Sequence, residues 1–413
     1  MGTVRFVESG HRMGKAKGNE IMRSVSKTLG CAVLLSVLMI AGCGGSDDSS
    51  QSASSGLSWE AIPETQTASS TEASSVATPE PETEAEAEPE PEIEPAEVPA
   101  GMYLSEITGL PIDESLKDQR PIAVMVDNET TALPHYGTAE ADVVYEMMNS
   151  TANGRITRLM CIVKDWGKIK QMGSIRSTRP TNILIAAEWN AVLCHDGGPY
   201  HNDAYFANKW AEHFSGTFSR VNNGKSREFT EYIVTGDLDK NFNNTGVSTT
   251  YNSYAPDGAT ESHFTFVPYG TTLDLAATYP SAFSATQVDI QPFTHNKSKL
   301  VYNDSTGLYE YQEYGSTHKD AEDGEVLAFE NVILQKCTFN QLDDNGYLIY
   351  NCIDVNQPGY YLTGGKAIPI EWTKGADTAI TRFYASGAEL AINAGKTYIG
   401  IIPSDTWSDM KIN

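Results

Sequence analysis

Two arginines, Arg176 and Arg179, lie three residues apart in the stretch "GSIRSTRPTNILIAAEW", where a short strand passes into a helix. A guanidinium group donates two parallel hydrogen bonds to a carboxylate or phosphate, and a helix N-terminus also favours an anion. The hydroxyls of Ser177 and Thr178 can cap the helix or bind the same anion. This junction is therefore a candidate anion-binding site.

The same arginines have a second interpretation, in which they hold carboxylates of their own sheet. Asp127, Asp142 and Glu146 lie at or near the ends of neighbouring predicted strands and are candidate partners. Internal ion pairs perturb charged groups much as ligand sites do, so the sequence leaves both interpretations open.

Further polar residues stand where the predicted strands end. "RPIAVMVDN" is a buried strand that ends in Asp127-Asn128, which is where α/β folds place ligands, although Asp-Asn is also ordinary in turns. Arg158 interrupts an apolar strand, either on a half-exposed face or paired with Glu146. His195, followed by Asp196 and then Gly-Gly, is a general base, a ligand or a turn residue, of which the turn residue is the most common case. The predicted ligand-binding residues are Asp127, Asn128, Arg158, Arg176, Ser177, Arg179 and His195.

Recognisable catalytic motifs are absent from the sequence. It has no Gly-x-Ser-x-Gly elbow, His-Glu-x-x-His, Cys-x-x-Cys or phosphate-binding loop. We therefore predict no catalytic residues, no metal ligands and no cofactor, and a non-enzymatic role is favoured over an enzymatic one.

The elements that must position these residues predict an α+β fold. Residues 101–284 alternate strands with helices at "PTNILIAAEWN" and "NDAYFANKWAEHF", as in an α/β-type domain with a mixed sheet. Residues 285–413 are strands broken by Gly, Asn and Asp turns, which indicates a second, mainly antiparallel all-β domain.

Cys337 and Cys352 flank the turn "DDNG" in this second region. They face each other if Asp344 and Asn345 form the centre of the turn, and are diagonal neighbours if Asn345 and Gly346 do. We predict a disulfide between them, the alternative being two apolar strand residues. Cys161 and Cys194 are expected to be buried thiols.

The N-terminal part resembles a bacterial lipoprotein leader. Residues 1–42 contain a basic start, a short apolar core and small residues before Cys43, and Met22 is an alternative start. "IAGC" is similar to a lipobox, which implies cleavage before Cys43 and a lipid on its thiol. Residues 43–100 then form an acidic Pro/Glu/Ala linker that is expected to be disordered.

The charge distribution excludes one class of partner. The net charge is −25, and residues 44–100 carry fourteen acidic residues without a lysine or arginine. No basic stripe is visible, so nucleic acid is not expected as a partner. The expected partners are the membrane, through the lipid on Cys43, and an envelope polymer or envelope protein.

Several motifs in order resemble the YerB-like bacterial lipoproteins. "ITGLPIDESLKDQRPIAVMVDN", "ADVVYE", "GRITRLMCIV", "GSIRSTRP" and "HDGG" are followed by "NVILQ", "GYYLTGGKAIPIEWTK", "TRFY" and "GKTYIGIIP". The resemblance covers most of residues 104–403. It implies a two-domain, lipid-anchored protein on the extracytoplasmic face of the cell membrane, and it names no reaction.

Three functions remain open at this level. The first is a lipoprotein that binds an anionic ligand or a partner protein at the Arg176/Arg179 junction. The second is a phosphotransferase-like enzyme on phosphate-bearing envelope polymers, since Asp127, Arg176 and Arg179 loosely resemble the site of the LytR-CpsA-Psr phosphotransferases. The third is a glycan-binding module, which would use the aromatic residues of the β-rich region, namely Tyr309, Tyr311, Tyr314, Trp372, Phe383 and Tyr384.

Overall fold

A large mixed sheet organises the chain. The computed structural model describes residues 96–260 and 262–413, so the predicted signal peptide, Cys43 and nearly all of the predicted linker lie outside the described residues. All described residues belong to one compact unit. None of their helices is long and apolar enough to cross a membrane.

The strands are short and numerous, and the helices are few. In the first half of the described chain the strands are β1 (Met102–Leu104), β2 (Pro111–Asp113), β3 (Ile122–Asp127), β4 (Val143–Met148), β5 (Thr157–Val163), β6 (Gln171–Gly173), β7 (Val192–His195), β8 (His213–Ser215), β9 (Ser219–Arg220), β10 (Glu231–Val234) and β11 (Thr265–Phe266). In the second half they are β12 (Phe283–Ser284), β13 (Gln287–Asp289), β14 (Lys299–Asn303), β15 (Leu308–Glu313), β16 (Ser316–Thr317), β17 (Ala328–Phe329), β18 (Asn331–Cys337), β19 (Phe339–Gln341), β20 (Leu348–Tyr350), β21 (Gln357–Thr363), β22 (Lys366–Thr373), β23 (Arg382–Ala385), β24 (Ala388–Glu389), β25 (Ala391–Ile392), β26 (Thr397–Pro403) and β27 (Lys411–Ile412). The helices are α1 (Pro180–Glu188), α2 (Asp203–Phe206), α3 (Asp237–Thr245) and α4 (Leu275–Thr278).

Twelve strands form the large sheet. Eleven follow the order β24-β23-β22-β21-β18-β26-β4-β5-β3-β7-β8, and β12 pairs with β22. Strand β26 lies in the middle, parallel to β18 on one side and to β4 on the other. Strands from both sides of the predicted boundary between residues 284 and 285 therefore belong to one continuous sheet.

Both faces of this sheet are buried in its middle, which explains why the strands β3, β4, β5 and β26 are mostly apolar along their length. Ala123 and Met125 of β3 face one core, which is completed by α1 and the β19–β20 hairpin. Val124 and Val126 face a second core under the six-stranded sheet of β13 to β17 and β27. Successive side chains of β3 thus pack alternately into two cores on opposite faces of the sheet.

The fold is rich in sheets, and one of the two predicted helices was largely wrong. The helix predicted over residues 202–214 is limited to α2, because His213–Ser215 instead pairs with β7 as strand β8. Conversely, α3 lies in an Asn/Gly-rich stretch for which no helix was predicted. Gly236 and Gly246, both in the left-handed conformation, delimit it.

Candidate functional site

The residues of the candidate site meet where several elements end. Asp127 is the last residue of β3 and lies opposite Arg158 of β5. The segment after β6 runs beside β3, since the backbone N–H of Arg176 donates to the carbonyl of Met125 at 2.9 Å. Arg179 is the residue that precedes α1. Three arginines are thereby brought beside the end of one central strand.

A glycine makes this approach possible. Gly173 has a φ of +144°, a conformation that residues with a side chain rarely adopt. A Cβ atom at this position would also lie 2.9 Å from the backbone nitrogen of Ile175. The chain can therefore leave β6 and run along β3 only with a glycine at residue 173.

Arg176 is neutralised by the protein itself. Its Nε donates to Oδ2 of Asp127 at 2.7 Å, and Nη2 donates to Oε2 of Glu228 at 2.6 Å. The guanidinium also lies over the ring of Phe229. Burial alone would lower the pKa of Arg176, but the carboxylates of Asp127 and Glu228 raise it overall. For this arginine the structure favours the internal ion pair over a ligand.

Arg158 and Arg179 are in a different situation, because neither makes a close ion pair with a carboxylate among the described residues. The nearest carboxylate oxygen to Arg158, Oδ1 of Asp127, is 4.0 Å from Nε. Both side chains are more than nine-tenths buried. They form two adjacent buried cations, which are costly without a compensating negative charge.

Neutral acceptors position the two guanidiniums. Nη1 of Arg158 donates to Asn149 Oδ1 (2.9 Å) and to the carbonyl (2.6 Å) and hydroxyl (2.8 Å) oxygens of Ser177. Arg179 donates through Nε to the Asn149 carbonyl (3.1 Å) and through Nη1 to the Thr178 carbonyl (2.8 Å) and Ser177 Oγ (3.3 Å). The Ser177 hydroxyl thus accepts from both arginines, and its own hydrogen remains free to donate.

Several donors of this pair are unused within the part of the chain that the structure describes. Nε of Arg158 is buried without a hydrogen-bond partner among these residues. Neither Arg158 nor Arg179 has an acceptor from the described residues at Nη2. An oxyanion could accept hydrogen bonds from these groups and from Ser177, so the arrangement is suited to binding a carboxylate or a phosphate.

The pKa values reflect this uncompensated charge. Burial, and next the neighbouring Arg158, lower the pKa of Arg179 to about 9. Burial also lowers the pKa of Arg158, against the attraction of Asp127. A bound anion would oppose both effects, because an opposite charge within a few ångströms favours the protonated guanidinium.

Two residues of this cluster were missed by sequence reasoning. Asn149 follows β4, and Tyr347 comes from the tip of the β19–β20 hairpin, where its ring lies 4.3 Å from the guanidinium carbon of Arg179. The hairpin is held there by a hydrogen bond from the Thr151 backbone to the Gly346 carbonyl at 2.9 Å. No spacing pattern connects these residues, since the contact depends on the tertiary structure.

His195 does not present a free nitrogen to the cluster. Nδ1 donates to the Gly197 carbonyl at 2.8 Å, so Nε2 accepts from Nδ1 of His213 at 2.9 Å. The ring stacks on Phe206, and burial lowers its pKa to about 4. Both nitrogens are used inside the protein, which favours the structural interpretation of this histidine.

Asn128 lies in a separate polar network. Its amide nitrogen is within hydrogen-bond distance of Thr157 Oγ1 (3.0 Å) and Glu146 Oε1 (3.4 Å). Glu146 also accepts from the hydroxyls of Ser298 (2.6 Å) and Tyr398 (2.7 Å), and burial raises its pKa to about 7. Glu146 and Arg158 occupy adjacent, not opposite, positions of the β4–β5 pairing, so their side chains point to opposite faces of the sheet. The alternative in which Glu146 pairs with Arg158 is therefore wrong.

The predicted disulfide is not present in the structure. Cys337 and Cys352 are free, buried thiols. The hairpin register does place them opposite each other, since the Asn351 N–H donates to the Thr338 carbonyl at 2.9 Å. Both side chains pack in the core beside α1, which is the use of apolar strand positions that the sequence left open. Cys161 and Cys194 are also free and buried, as predicted.

The aromatic residues considered for a glycan groove are mostly inaccessible. Tyr309 and Tyr311 have no exposed surface, Trp372 is 1% exposed and Phe383 is 5% exposed. Tyr314 and Tyr384 are half-buried. Four of these six side chains therefore belong to the cores and are not available to stack on a sugar.

Comparisons with known proteins agree with the architecture. Residues 107–248 match the family described as "Protein of unknown function (DUF3048) N-terminal domain", and residues 288–399 match its C-terminal domain. "Putative lipoprotein YerB" of Bacillus subtilis (strain 168) is 22% identical over 312 residues, which cover 72% of this chain and 85% of that protein.

A solved structure supports the same relationship at the level of the fold. The crystal structure of the YerB protein from Bacillus subtilis superposes with a TM-score of 0.61 at 19% identity, and the match covers 75% of this chain and 99% of that one. The two matched regions lie on either side of residue 284, although the large sheet joins them. Together, the domain matches, the relative and the shared fold show that this chain belongs to the YerB-like family of lipoproteins.

Proposed function

We propose that this protein is a lipid-anchored lipoprotein of the extracytoplasmic cell envelope that binds an anionic ligand between Arg158 and Arg179. The observation that carries the proposal is a pair of buried guanidiniums with unused donors and no close carboxylate partner among the described residues. The Ser177 hydroxyl lies between them and adds a donor. Two cations and a hydroxyl match the geometry of a phosphate or carboxylate group.

The anchoring part of the proposal rests on the leader sequence and on the relative named as a lipoprotein. A lipid on Cys43 would tether the chain, and the acidic linker would hold the folded part away from the membrane surface. Replacing Cys43 by Ser should abolish incorporation of labelled palmitate and release the protein from the membrane fraction. Unchanged labelling in this variant would contradict the anchor at Cys43.

The enzymatic alternative has less support than binding. In the loose resemblance to phosphotransferases, Asp127 would hold a metal together with a pyrophosphate, but its Oδ2 is bonded to Arg176 and its Oδ1 accepts from the Glu129 backbone at 3.2 Å. Because both carboxylate oxygens of Asp127 already accept hydrogen bonds, this aspartate is poorly suited to coordinate a metal. Binding without chemistry is therefore the function that the geometry supports best.

The test is to identify what the cluster binds. The full-length protein, extracted from membranes in a mild detergent, should carry an anionic molecule that native mass spectrometry detects as a discrete added mass. The double variant Arg158→Gln/Arg179→Gln should lose that mass, whereas Arg155→Gln, which removes an exposed pair with Asp405, should keep it. If the wild-type protein carries no such molecule, or if the double variant retains it, the proposal fails.

A further inference from the structure

A second cluster of polar side chains shares no residue with the arginine pair. His135, Glu313 and His318 each offer one ligand atom, and these atoms lie within 4.8 Å of one another. All three side chains are buried, with exposures of 0%, 3% and 4%. Histidine and carboxylate ligands of this kind are typical of zinc and other first-row divalent metals.

The hydrogen bonds of His135 leave one nitrogen available for a metal. A backbone carbonyl can only accept, so Nε2 carries the hydrogen and donates to the Asp127 carbonyl at 2.7 Å. Nδ1 is consequently an unprotonated acceptor, and it is buried without any partner among the described residues. Metal-binding histidines generally have this arrangement, in which one nitrogen donates to a carbonyl and the other coordinates the ion.

Glu313 provides the second unused acceptor. Its Oε1 is 2.8 Å from Nδ1 of His318, and its Oε2 is buried without a hydrogen-bond partner in residues 96–260 and 262–413. A buried acceptor that lacks a hydrogen bond is unfavourable, because it has lost its contact with water without gaining another partner. Two such acceptors in one cluster, on Glu313 and His135, are a second observation that points to a missing positive charge rather than to a missing apolar contact.

His318 completes the set and is held from its other side. Its Nε2 is 3.0 Å from the hydroxyl of Thr138, which also lies 3.4 Å from Oδ2 of Asp320. A divalent ion can replace the proton that His318 and Glu313 share, because metal binding releases protons from its ligands. No oxidant or further reactant is needed for this exchange.

The backbone around the cluster is already fixed by contacts between two distant segments. The Ala321 N–H donates to the His135 carbonyl at 2.8 Å, and the Ala139 N–H donates to Asp320 Oδ2 at 3.1 Å. With bonds of about 2.0–2.2 Å and tetrahedral angles, ligand atoms in a zinc site are about 3.3 Å apart. Side-chain shifts of about 1 Å are therefore enough to bring the three donors to an ion.

We propose that His135, Glu313 and His318 bind one divalent transition-metal ion of the zinc type, with a water molecule in the remaining position. The ion would join the loop after β3 to the β15–β16 hairpin, and its role would be structural. It would also fix the Asp127 backbone through His135, although the proposal does not depend on ligand binding by the arginines.

The experiment measures zinc in the full-length, tag-free protein. Because the cluster is buried, the protein is unfolded in a chelator and refolded with Zn²⁺, and excess metal is removed before elemental analysis. We expect about one ion per chain and a thermal midpoint several degrees above that of protein refolded with chelator. Glu313→Gln and His318→Asn should each reduce the zinc content at least tenfold, and His295→Gln should leave it unchanged.

Two results would overturn the proposal. One is a wild-type protein that refolds but retains less than about a tenth of an ion per chain after loading with Zn²⁺, Mn²⁺ or Co²⁺. The other is a Glu313→Gln variant that binds as much zinc as the wild-type protein, which would place the metal elsewhere. Circular dichroism of each variant shows whether it is folded, and the metal-dependent change in the thermal midpoint is a second readout that does not rely on stoichiometry.

Discussion

Replacing Arg176 and Arg179 by Gln, in two separate variants, should separate stability from ligand binding. Arg176 is the partner of a buried aspartate, whereas the described acceptors of Arg179 are all neutral. We therefore expect Arg176→Gln to lower the free energy of unfolding and Arg179→Gln to weaken anion binding. The two residues lie three positions apart, so each variant is a matched control for the other.

The stability change for Arg176 can be worked from its contacts. Removing one partner of a buried ion pair costs about 3–5 kcal/mol. The Arg176 side chain is 25% exposed, so water relieves part of that penalty at Asp127, and we expect a loss of about 2–3 kcal/mol. For a chain of this size such a loss lowers the thermal midpoint by about 3–5 °C.

The expected effects of Arg179→Gln are the reverse. The variant loses two hydrogen bonds to carbonyls, each worth about 1 kcal/mol, but it also removes a buried like charge beside Arg158. The net stability change should stay within about 1 kcal/mol. Losing charge-assisted hydrogen bonds to an anion, at about 1.5–3 kcal/mol, weakens its affinity by about 10- to 100-fold.

The assay combines thermal unfolding with calorimetric titration of inorganic pyrophosphate into the wild-type protein and both variants. If Arg176→Gln weakens pyrophosphate binding as much as Arg179→Gln does, the assignment of the site to Arg158 and Arg179 is refuted. A larger loss of stability in Arg179→Gln than in Arg176→Gln would refute the conclusion that Arg176 stabilises the fold through an ion pair with Asp127 whereas Arg179 does not.

Three further predictions concern the rest of the fold. Burial raises the pKa of Glu146 to about 7 from the 4.5 of an ordinary glutamate, so its contribution to stability is full below about pH 4.5 and is lost as the pH rises through 7. Glu146→Gln should therefore show a smaller drop in thermal midpoint between pH 5 and pH 8 than the wild-type protein. An equal drop in both proteins would contradict this cause. Burial raises the pKa values of all four described cysteines, so a thiol reagent should leave them unmodified in the native protein. After unfolding without reductant the reagent should modify all four, whereas only two modified cysteines would indicate a disulfide. Ile399→Ala in the central strand β26 should lower stability by about 2–5 kcal/mol and keep a single calorimetric transition, while separate transitions would show that the two sequence regions unfold independently.

Much of the N-terminal half of the large sheet could be predicted from local patterns. The apolar runs that become β3, β4 and β5 and the proline at the start of α1 carry strong signals, because burial on both faces and helix initiation depend on neighbouring residues. The continuity of the sheet could not be predicted. It depends on β26 pairing with β4, a contact between residues far apart in the chain.

Local patterns likewise indicated some residues of the candidate site, whereas its long-range contacts could not be predicted. The sequence predicted a strand end at Asp127 and a strand-to-helix junction at Arg176, because both are local features, and it named Asp127 as one of three candidate partners of the arginine. It could not show that Glu228 and Asp127 neutralise Arg176 while Arg179 has no carboxylate partner among the described residues. Nor could it connect His135 with Glu313, since metal-ligand motifs are recognised by short spacings and these residues come from distant segments.

The most direct test of the central claim is a crystal structure of the protein with a heavy oxyanion, selenate or tungstate, located by anomalous scattering. We predict an anomalous peak between Arg158 and Arg179, from an anion whose oxygens lie within hydrogen-bond distance of Nη2 of Arg158, Nη2 of Arg179 and Oγ of Ser177, and no peak at Arg176. Arginines that instead bind a carboxylate of their own chain, with no anion between them, would contradict the claim.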